Sequence, residues 1–284
     1  MIPAQFEYTA PSTVEEAVAA LREAGEDAKV LAGGQSLLPV LRMRMADPST
    51  VVDLGRIESV RGVREEGAQL VIGAMTSHHD LLGDPLVHEH AELLARTTRT
   101  VADPQVRHRG TFGGSLAHAD PAGDLLAPAL ALDAEMVLVG AAGRRTVPAA
   151  EFFVDHFTTA LEPGELLVEV RFPKWTGWRA HYEKFNRVAQ AWSTVGVAVA
   201  VRVSGGTIAE ARVGLTNMGP TPVRARTVED ALVGQPATAE AVRRAAASAT
   251  DGTSPASDAS ADADYREHLA VVLTGRAVSA AAGV

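Results

Sequence analysis

Residues 111–124 read TFGGSLAHADPAGD: a double glycine between hydroxyl residues, then an Asp-Pro step and a second aspartate. Residues 30–38 read VLAGGQSLL, again a double glycine followed by small polar residues. One Gly-Gly pair is a turn signal, and Gly205-Gly206, between Ser204 and Thr207, is read as a hairpin turn. Two further pairs flanked by hydroxyls suggest one anionic ligand gripped from two sides. Glycine tolerates positive φ and lacks the Cβ that would hold a phosphate away from backbone N–H groups. Ser36, Thr111 and Ser115 add hydroxyl donors, so the expected ligand is a pyrophosphate held between two loops. Asp120 and Asp124 would repel a phosphate. They suit ribose hydroxyls or the polar edge of a ring, and Asp124 also suits the N-cap of a following helix.

Other nucleotide and nucleophile signatures are missing. Neither pair fits G-x-G-x-x-G, and the chain has no G-x-x-x-x-G-K-[ST] and no G-x-S-x-G. The histidine clusters His78-His79-Asp80, His88-Glu89-His90 and His118-Ala119-Asp120 lack the spacing that puts two imidazoles on one helix face, so no metal site is expected.

The 284 residues suffice for about two domains. A net charge of −9 argues against a nucleic-acid surface; the one local basic spot is Arg107-His108-Arg109. There is no cysteine, which excludes disulfides and any iron–sulfur cluster carried by this chain alone. The stretch MIPAQFEYTAPST has no basic or apolar signal region, and no uncharged run is long enough to span a membrane. A cytoplasmic location is expected.

Along the chain, Ser12 and Glu15 have capping-box spacing before a helix with Val14, Ala17, Val18 and Leu21 on one face and Gly25 as its end. Strands are expected at 28–32, feeding the first glycine loop, at 50–54, and at 69–73, leading to Thr76. Residues 78–101 read as helical with a break at Asp84-Pro85, and 125–132 as a buried small-residue helix. Strands follow at 134–139, with a turn at 143–145, and at 165–172, where alternation is read. Two strong strands, 194–203 and 208–215, form the hairpin. Helices are expected near 226–233, 238–249 and 264–280, with a polar loop at 250–263. The order predicts an α+β fold.

Gly33-Gly34-Gln35-Ser36-Leu37, Thr111-Phe112-Gly113-Gly114-Ser115 with Asp120-Pro121 and Asp124, and the terminal Asp264-Tyr265-Arg266…Leu269…Leu273…Arg276-Ala277 resemble the flavoprotein (medium) subunits of molybdenum hydroxylases, the carbon monoxide dehydrogenase / xanthine dehydrogenase family. The resemblance covers essentially the whole chain. It implies a two-subdomain FAD-binding domain of the vanillyl-alcohol oxidase (PCMH) type at 1–176, with subdomains at about 1–54 and 55–176, and a C-terminal flavoprotein domain at 177–284. The implied cofactor-binding residues are Leu31, Ala32, Gly33, Gly34, Gln35, Ser36, Leu37, Thr76, Thr111, Gly113, Gly114, Ser115, Asp120, Asp124, Leu167, Lys184 and Trp192. Lys184 and Leu167 would lie by the isoalloxazine and Trp192 would shield it. Gln35 and Ser115 depart from the usual residues and remain polar. No residue of the chain would be catalytic toward substrate.

The FAD that the resemblance implies is expected to be noncovalent, because the chain has no cysteine and no histidine sits inside either glycine loop. By the resemblance, molybdopterin would lie on a large partner subunit and two [2Fe–2S] clusters on a small one, in a dimer of heterotrimers. Electrons would pass from the clusters through FAD to an external acceptor. The alternative is a self-sufficient flavin oxidase or reductase of the same fold.

Overall fold

The computed structural model describes residues 2–284. The chain begins with β1 (Glu7–Thr9), α1 (Val14–Ala24), β2 (Ala28–Leu31), α2 (Leu37–Arg42) and β3 (Thr50–Asp53). β3 is central, with β1 and β2 parallel to it on either side. Helix α1 buries Ala17, Val18 and Leu21 and ends at Gly25, whose φ is 75°. Its cap lies one residue later than the sequence spacing suggests. Thr13 is the N-cap, accepting from the Glu16 amide at 3.1 Å, and the Glu16 carboxylate returns to the Ser12 amide at 2.8 Å.

The hairpin β4 (Val63–Glu66) and β5 (Gln69–Gly73) leads into six helices: α3 (His78–Gly83), α4 (Pro85–His90), α5 (Glu92–Thr98), α6 (Pro104–Arg109), α7 (Phe112–His118) and α8 (Leu126–Ala131). The helical stretch from 78 breaks at Ala91 as well as at Asp84-Pro85. The pair Gly113-Gly114 lies inside the first turn of α7 and is not a loop. Next come β6 (Glu135–Gly140), β7 (Gly143–Pro148), α9 (Ala149–Phe152), the short pair β8 (Phe153–Asp155) and β9 (Thr158–Thr159), and β10 (Leu166–Pro173). Residues 143–145 begin β7, because the reversal is completed at 141–142.

The second sheet is antiparallel in the order β4-β5-β10-β6-β7. β10 is its middle strand and is buried on both faces from Leu166 to Val170, so the expected one-sided alternation is absent. The buried Glu169 carboxylate is met by Arg64 at 2.7 Å and Arg171 at 2.6 Å, and these guanidinium partners hold it below the usual carboxylate range against the opposing effect of burial.

The third sheet contains β11 (Arg179–Phe185), β12 (Val195–Ser204), β13 (Thr207–Thr216) and β14 (Val223–Arg224), antiparallel in that order. β11 was not anticipated, since HYEKF mixes charged and aromatic residues without an apolar run. Gly205 and Gly206 have φ of 57° and 77°, the hairpin-turn conformation read from the sequence. Helices α10 (Arg226–Leu232), α11 (Ala239–Ala246) and α12 (Ala263–Ala282) cover the sheet. Along α12, Leu269, Ala270, Leu273, Ala277, Val278 and Ala281 recur at helical spacing and are all buried. The fold is thus α+β, as expected from the order of elements.

The second and third sheets share a core. Leu126, Ala127 and Leu130 of α8 join Ala198 and Ala200 of β12 in one cluster with Phe112 and Phe172. Here α8 comes so close to β13 that a Cβ on Gly214 would stand 2.5 Å from the Ala127 carbonyl oxygen. Backbone cannot yield as a side chain can. Gly214→Ala is therefore expected to lower stability by about 1–3 kcal/mol, the usual range for overpacking. Urea unfolding measures it, and an unchanged midpoint would mean that α8 moves away without cost.

Candidate functional site

The two glycine segments meet. A Cβ on Gly33 would stand 2.2 Å from the Arg109 carbonyl oxygen and 2.7 Å from the Gly110 Cα. One on Gly114 would stand 2.5 Å from Thr111 Oγ1 and 3.2 Å from the Ala32 Cβ. One on Gly113 would stand 2.4 Å from the Ala74 Cβ. The glycines thus serve mainly to bring segments 31–37 and 109–115 together, since protein already fills their Cβ directions. Gly34 alone of the four has a positive φ, 77°, and a side chain there would be strained.

Donors are divided unevenly between the segments. Among the described residues, the amides of Gly33, Gly34, Gln35, Ser36 and Leu37 make no hydrogen bond within the chain, although Gly34 is buried and Gly33, Ser36 and Leu37 are half-buried. Ser36 precedes α2 without capping it, which leaves its hydroxyl free. Five successive unpaired N–H groups are unusual for a packed backbone and suit an anion. Gln35 turns its side-chain amide back to the Gly33 carbonyl at 3.1 Å.

In the second segment the amides of residues 112–115 are already used. Phe112 N donates to Thr76 O at 2.9 Å, Gly113 N to Ala74 O at 2.8 Å, Ser115 N to Thr111 O at 3.0 Å and Gly114 N to Thr111 Oγ1 at 3.2 Å. The amides of Gly113 and Gly114 are therefore paired within the chain, unlike those of Gly33 and Gly34. Thr76 is buried and sends its own hydroxyl to Gly62 O at 3.1 Å. Ser115 keeps a free hydroxyl at the surface of α7. Asp120 accepts from Ala122 N at 2.9 Å and closes the turn before Asp124.

Behind this cradle, His78 is 3% exposed and donates its backbone N–H to Gly110 O at 2.9 Å. Burial, with the Arg107 charge adding, lowers its imidazole to about 4, so it is neutral at physiological pH. Of the basic spot, Arg107 donates to Val101 O at 2.7 Å, and the His108 ring stacks on His79 at 3.8 Å.

Asp124 does not cap α8. Leu125 occupies that position, and the Asp124 carboxylate points across to the third sheet. Oδ2 accepts from Lys184 Nζ at 2.7 Å, and Oδ1 from Tyr182 OH at 2.8 Å and Ser193 Oγ at 2.7 Å. Both side chains of the ion pair are buried, at 6% and 4% exposure. Lys184 also donates to Thr100 O at 3.2 Å, at the end of α5. Tyr182 and Lys184 share one face of β11, as residues two apart on a strand must. Gly196 on β12 leaves room for the phenol, since a Cβ there would stand 2.3 Å from Tyr182 OH. Burial raises the Tyr182 phenol well above its ordinary value, and the Asp124 charge adds to the effect.

Asp124 and Lys184, far apart in sequence, are thus brought together. Leu167 lies on β10, buried in the shared core beside the register shift of β10 against β6. Trp192 lies on the connection between β11 and β12 and is 55% exposed. Tyr182, Ser193 and Gly196 were missed. The period of two from Lys184 would have found Tyr182; nothing local marks the other two. Among the described residues no group of three or more His, Asp or Glu side chains converges as a metal site would, and no helix is long and apolar enough to cross a membrane.

Removing one partner of a buried pair strands the other charge. Lys184→Met is expected to cost about 3–5 kcal/mol. Asp124→Asn with Lys184→Met together should cost less than the sum of the two single changes. Chemical denaturation of the four proteins measures the coupling, and strict additivity would mean that the two groups do not interact.

Comparison with known proteins shows the family. The family model described as FAD binding domain in molybdopterin dehydrogenase matches residues 4–175, and that described as CO dehydrogenase flavoprotein C-terminal domain matches residues 180–281. The carbon monoxide dehydrogenase medium chain of Hydrogenophaga pseudoflava is 47% identical over 284 residues, covering 99% of this chain and 98% of that one. The medium chain of the same name from Afipia carboxidovorans is 41% identical over 282 residues, covering 99% and 98%. A solved carbon monoxide dehydrogenase structure from Hydrogenophaga pseudoflava superposes with a TM-score of 0.96 at 48% identity, over 99% of this chain and 98% of that one. The chain belongs to the FAD-binding medium subunits of the molybdenum hydroxylases, the oxidoreductase family of carbon monoxide dehydrogenase and xanthine dehydrogenase.

Proposed function

We propose that this chain is the electron-transfer subunit of a multi-subunit molybdenum hydroxylase. It receives electrons from [2Fe–2S] clusters on a small partner subunit and passes them to an external acceptor. The molybdopterin lies on a large partner subunit, where the substrate is oxidised, and the assembly is a dimer of heterotrimers in the cytoplasm. The observation that carries this reading is the state of Asp124. Both oxygens are engaged by protein donors and its charge is balanced by Lys184, so this buried acid is not free to act as a general base on a substrate. The absence of cysteine means that any cluster feeding this chain belongs to a partner.

Within the chain we assign residues up to about 176 to cofactor binding and 177–284 to a covering domain. The second sheet ends at Pro173 and the third begins at Arg179, which supports a division between them. The amides of 33–37 and the hydroxyls of Ser36, Thr111 and Ser115 hold the pyrophosphate; Ala32, Gly113 and Gly114 shape its seat. Leu31 and Thr76 support the two segments, while Asp120, Asp124, Leu167, Lys184 and Trp192 bound the ring side. Bound there, FAD supplies reversible storage of one or two electrons. The protein orients it and keeps the pyrophosphate dry and paired. The flavin is held noncovalently, since neither glycine segment contains a histidine and the chain has no cysteine.

Gly114→Val should abolish FAD binding in a chain that still folds, because the added side chain meets Thr111 and Ala32 and parts the two segments. Acid precipitation should release flavin into the supernatant from the unmodified protein and none from the variant. Stoichiometric FAD in the variant, or flavin that stays in the pellet, would contradict the assignment.

The electron-transfer role separates from its rival by reduction. The isolated chain should keep its flavin oxidised when the substrate of the complex is added, and bleaching should require the large and small subunits together. Rapid bleaching of the isolated chain would establish a self-sufficient oxidase or reductase instead.

A further inference from the structure

Asn217 follows β13 in a left-handed conformation, with φ of 62°. Its backbone N–H donates to Pro121 O at 2.9 Å. Its side-chain amide nitrogen donates to Ser193 O at 2.8 Å and Thr194 O at 3.2 Å. One residue therefore grips two segments that meet nowhere in sequence: the turn 120–124 that presents Asp124, and the end of the 186–194 connection that carries Trp192 and Ser193. The grip is placed where it matters, since Ser193 Oγ then reaches Asp124 Oδ1 at 2.7 Å. Upstream of that anchor the connection is open. Arg187, Val188, Ala189 and Gln190 are exposed, and Gln190 is itself left-handed with φ of 73°.

Three left-handed non-glycine residues surround the same turn. Ala119 has φ of 50° and its carbonyl accepts from the amide of Phe157, whose φ is 51°, while Asn217 takes the Pro121 carbonyl. Such conformations persist where surrounding bonds enforce them, and they gather at sites where position matters. Asparagine is among the few residues that enter this region readily, and its amide supplies the two donors that glycine lacks.

We propose that Asn217 is a positioning residue for the FAD ring side: it clasps the 186–194 connection to the 120–124 turn and so sets Ser193, Asp124 and Trp192 relative to the cofactor. This rests on the assignment of Asp124 and Trp192 to the ring side. It assigns a role to a residue that touches neither the glycine segments nor the ion pair directly.

Asn217→Gly separates the clasp from backbone strain, because glycine accepts the same φ and keeps the bond to Pro121 while losing both side-chain bonds. Asn217→Asp keeps the shape and turns acceptor oxygens toward two carbonyls. Three quantities are measured on the full chain: the FAD dissociation constant by fluorescence titration, the visible spectrum of the bound flavin, and the rate of tryptic cleavage after Arg187 without FAD. The loss of two hydrogen bonds should weaken FAD binding about tenfold in Asn217→Gly and shift the flavin bands. Cleavage after Arg187 should accelerate in both variants, more in Asn217→Asp. The cleavage readout tests the clasp without cofactor, so an unmodified chain that binds no FAD would defeat the functional reading and leave the clasp to be judged by cleavage. Unchanged cleavage, with unchanged affinity and spectrum in Asn217→Gly, would overturn the proposal. So would a general loss of thermal stability with no selective change at Arg187, which is what a merely structural role predicts.

Discussion

A single buried carboxylate ties the two halves of this molecule together. Asp124 stands at the end of the turn that follows the second glycine segment, and its three partners, Tyr182, Lys184 and Ser193, all belong to the third sheet or the connection within it. A carboxylate and an ammonium removed from water lose hydration worth several kcal/mol each, and their attraction repays that only when the geometry is good and the remaining lone pairs are used. Here every oxygen is used. The arrangement leaves little freedom for alternative docking, because any displacement of the third sheet would strand a charge. The neighbouring contacts follow from it: α8 lies against β12 and β13, Gly196 makes way for the Tyr182 phenol, and Gly214 makes way for the Ala127 carbonyl.

The cradle depends on a different constraint, the closeness of two backbones. Gly33 lies against Arg109-Gly110, and Gly113 against Ala74, at distances that no side chain would permit. Because Thr76, Ala74 and Thr111 satisfy the first-turn amides of α7, that helix is held rigidly against the extension of β5. Segment 33–37 keeps its own amides unpaired within the chain. The amides of one segment are thus paired within the chain and those of the other are not, an asymmetry that the similar glycine pairs conceal.

The same division separates what could be read in the sequence from what could not. The apolar runs of β2, β3, β5, β12 and β13 and the periodic faces of α1 and α12 carry their structure locally, and each was legible with small errors at the ends. The α1 cap moved from Ser12 to Thr13 because either hydroxyl can begin a helix and only the turn geometry selects one. β10 did not alternate because helices and strands cover both its faces, which is a property of its neighbours. β11 was not visible because its polar residues are satisfied by partners far along the chain: Lys184 by Asp124 and Thr100, Tyr182 by Asp124.

By itself the sequence determined the α+β class, the family through its two glycine motifs and the aspartate behind them, and the dependence on partners for any iron–sulfur cluster, since no cysteine is present. These follow from local propensity, from spacing and from composition, none of which needs a partner in space. Only the tertiary structure decided that Gly113 and Gly114 provide clearance while the amides of 33–37 stay unpaired, that Asp124 faces Lys184 instead of capping α8, and that Asn217 joins two distant segments. Each depends on which backbone group is already occupied by another part of the chain. That occupancy is a long-range fact: a hydrogen-bond donor looks the same in sequence whether it is paired or waiting for a ligand.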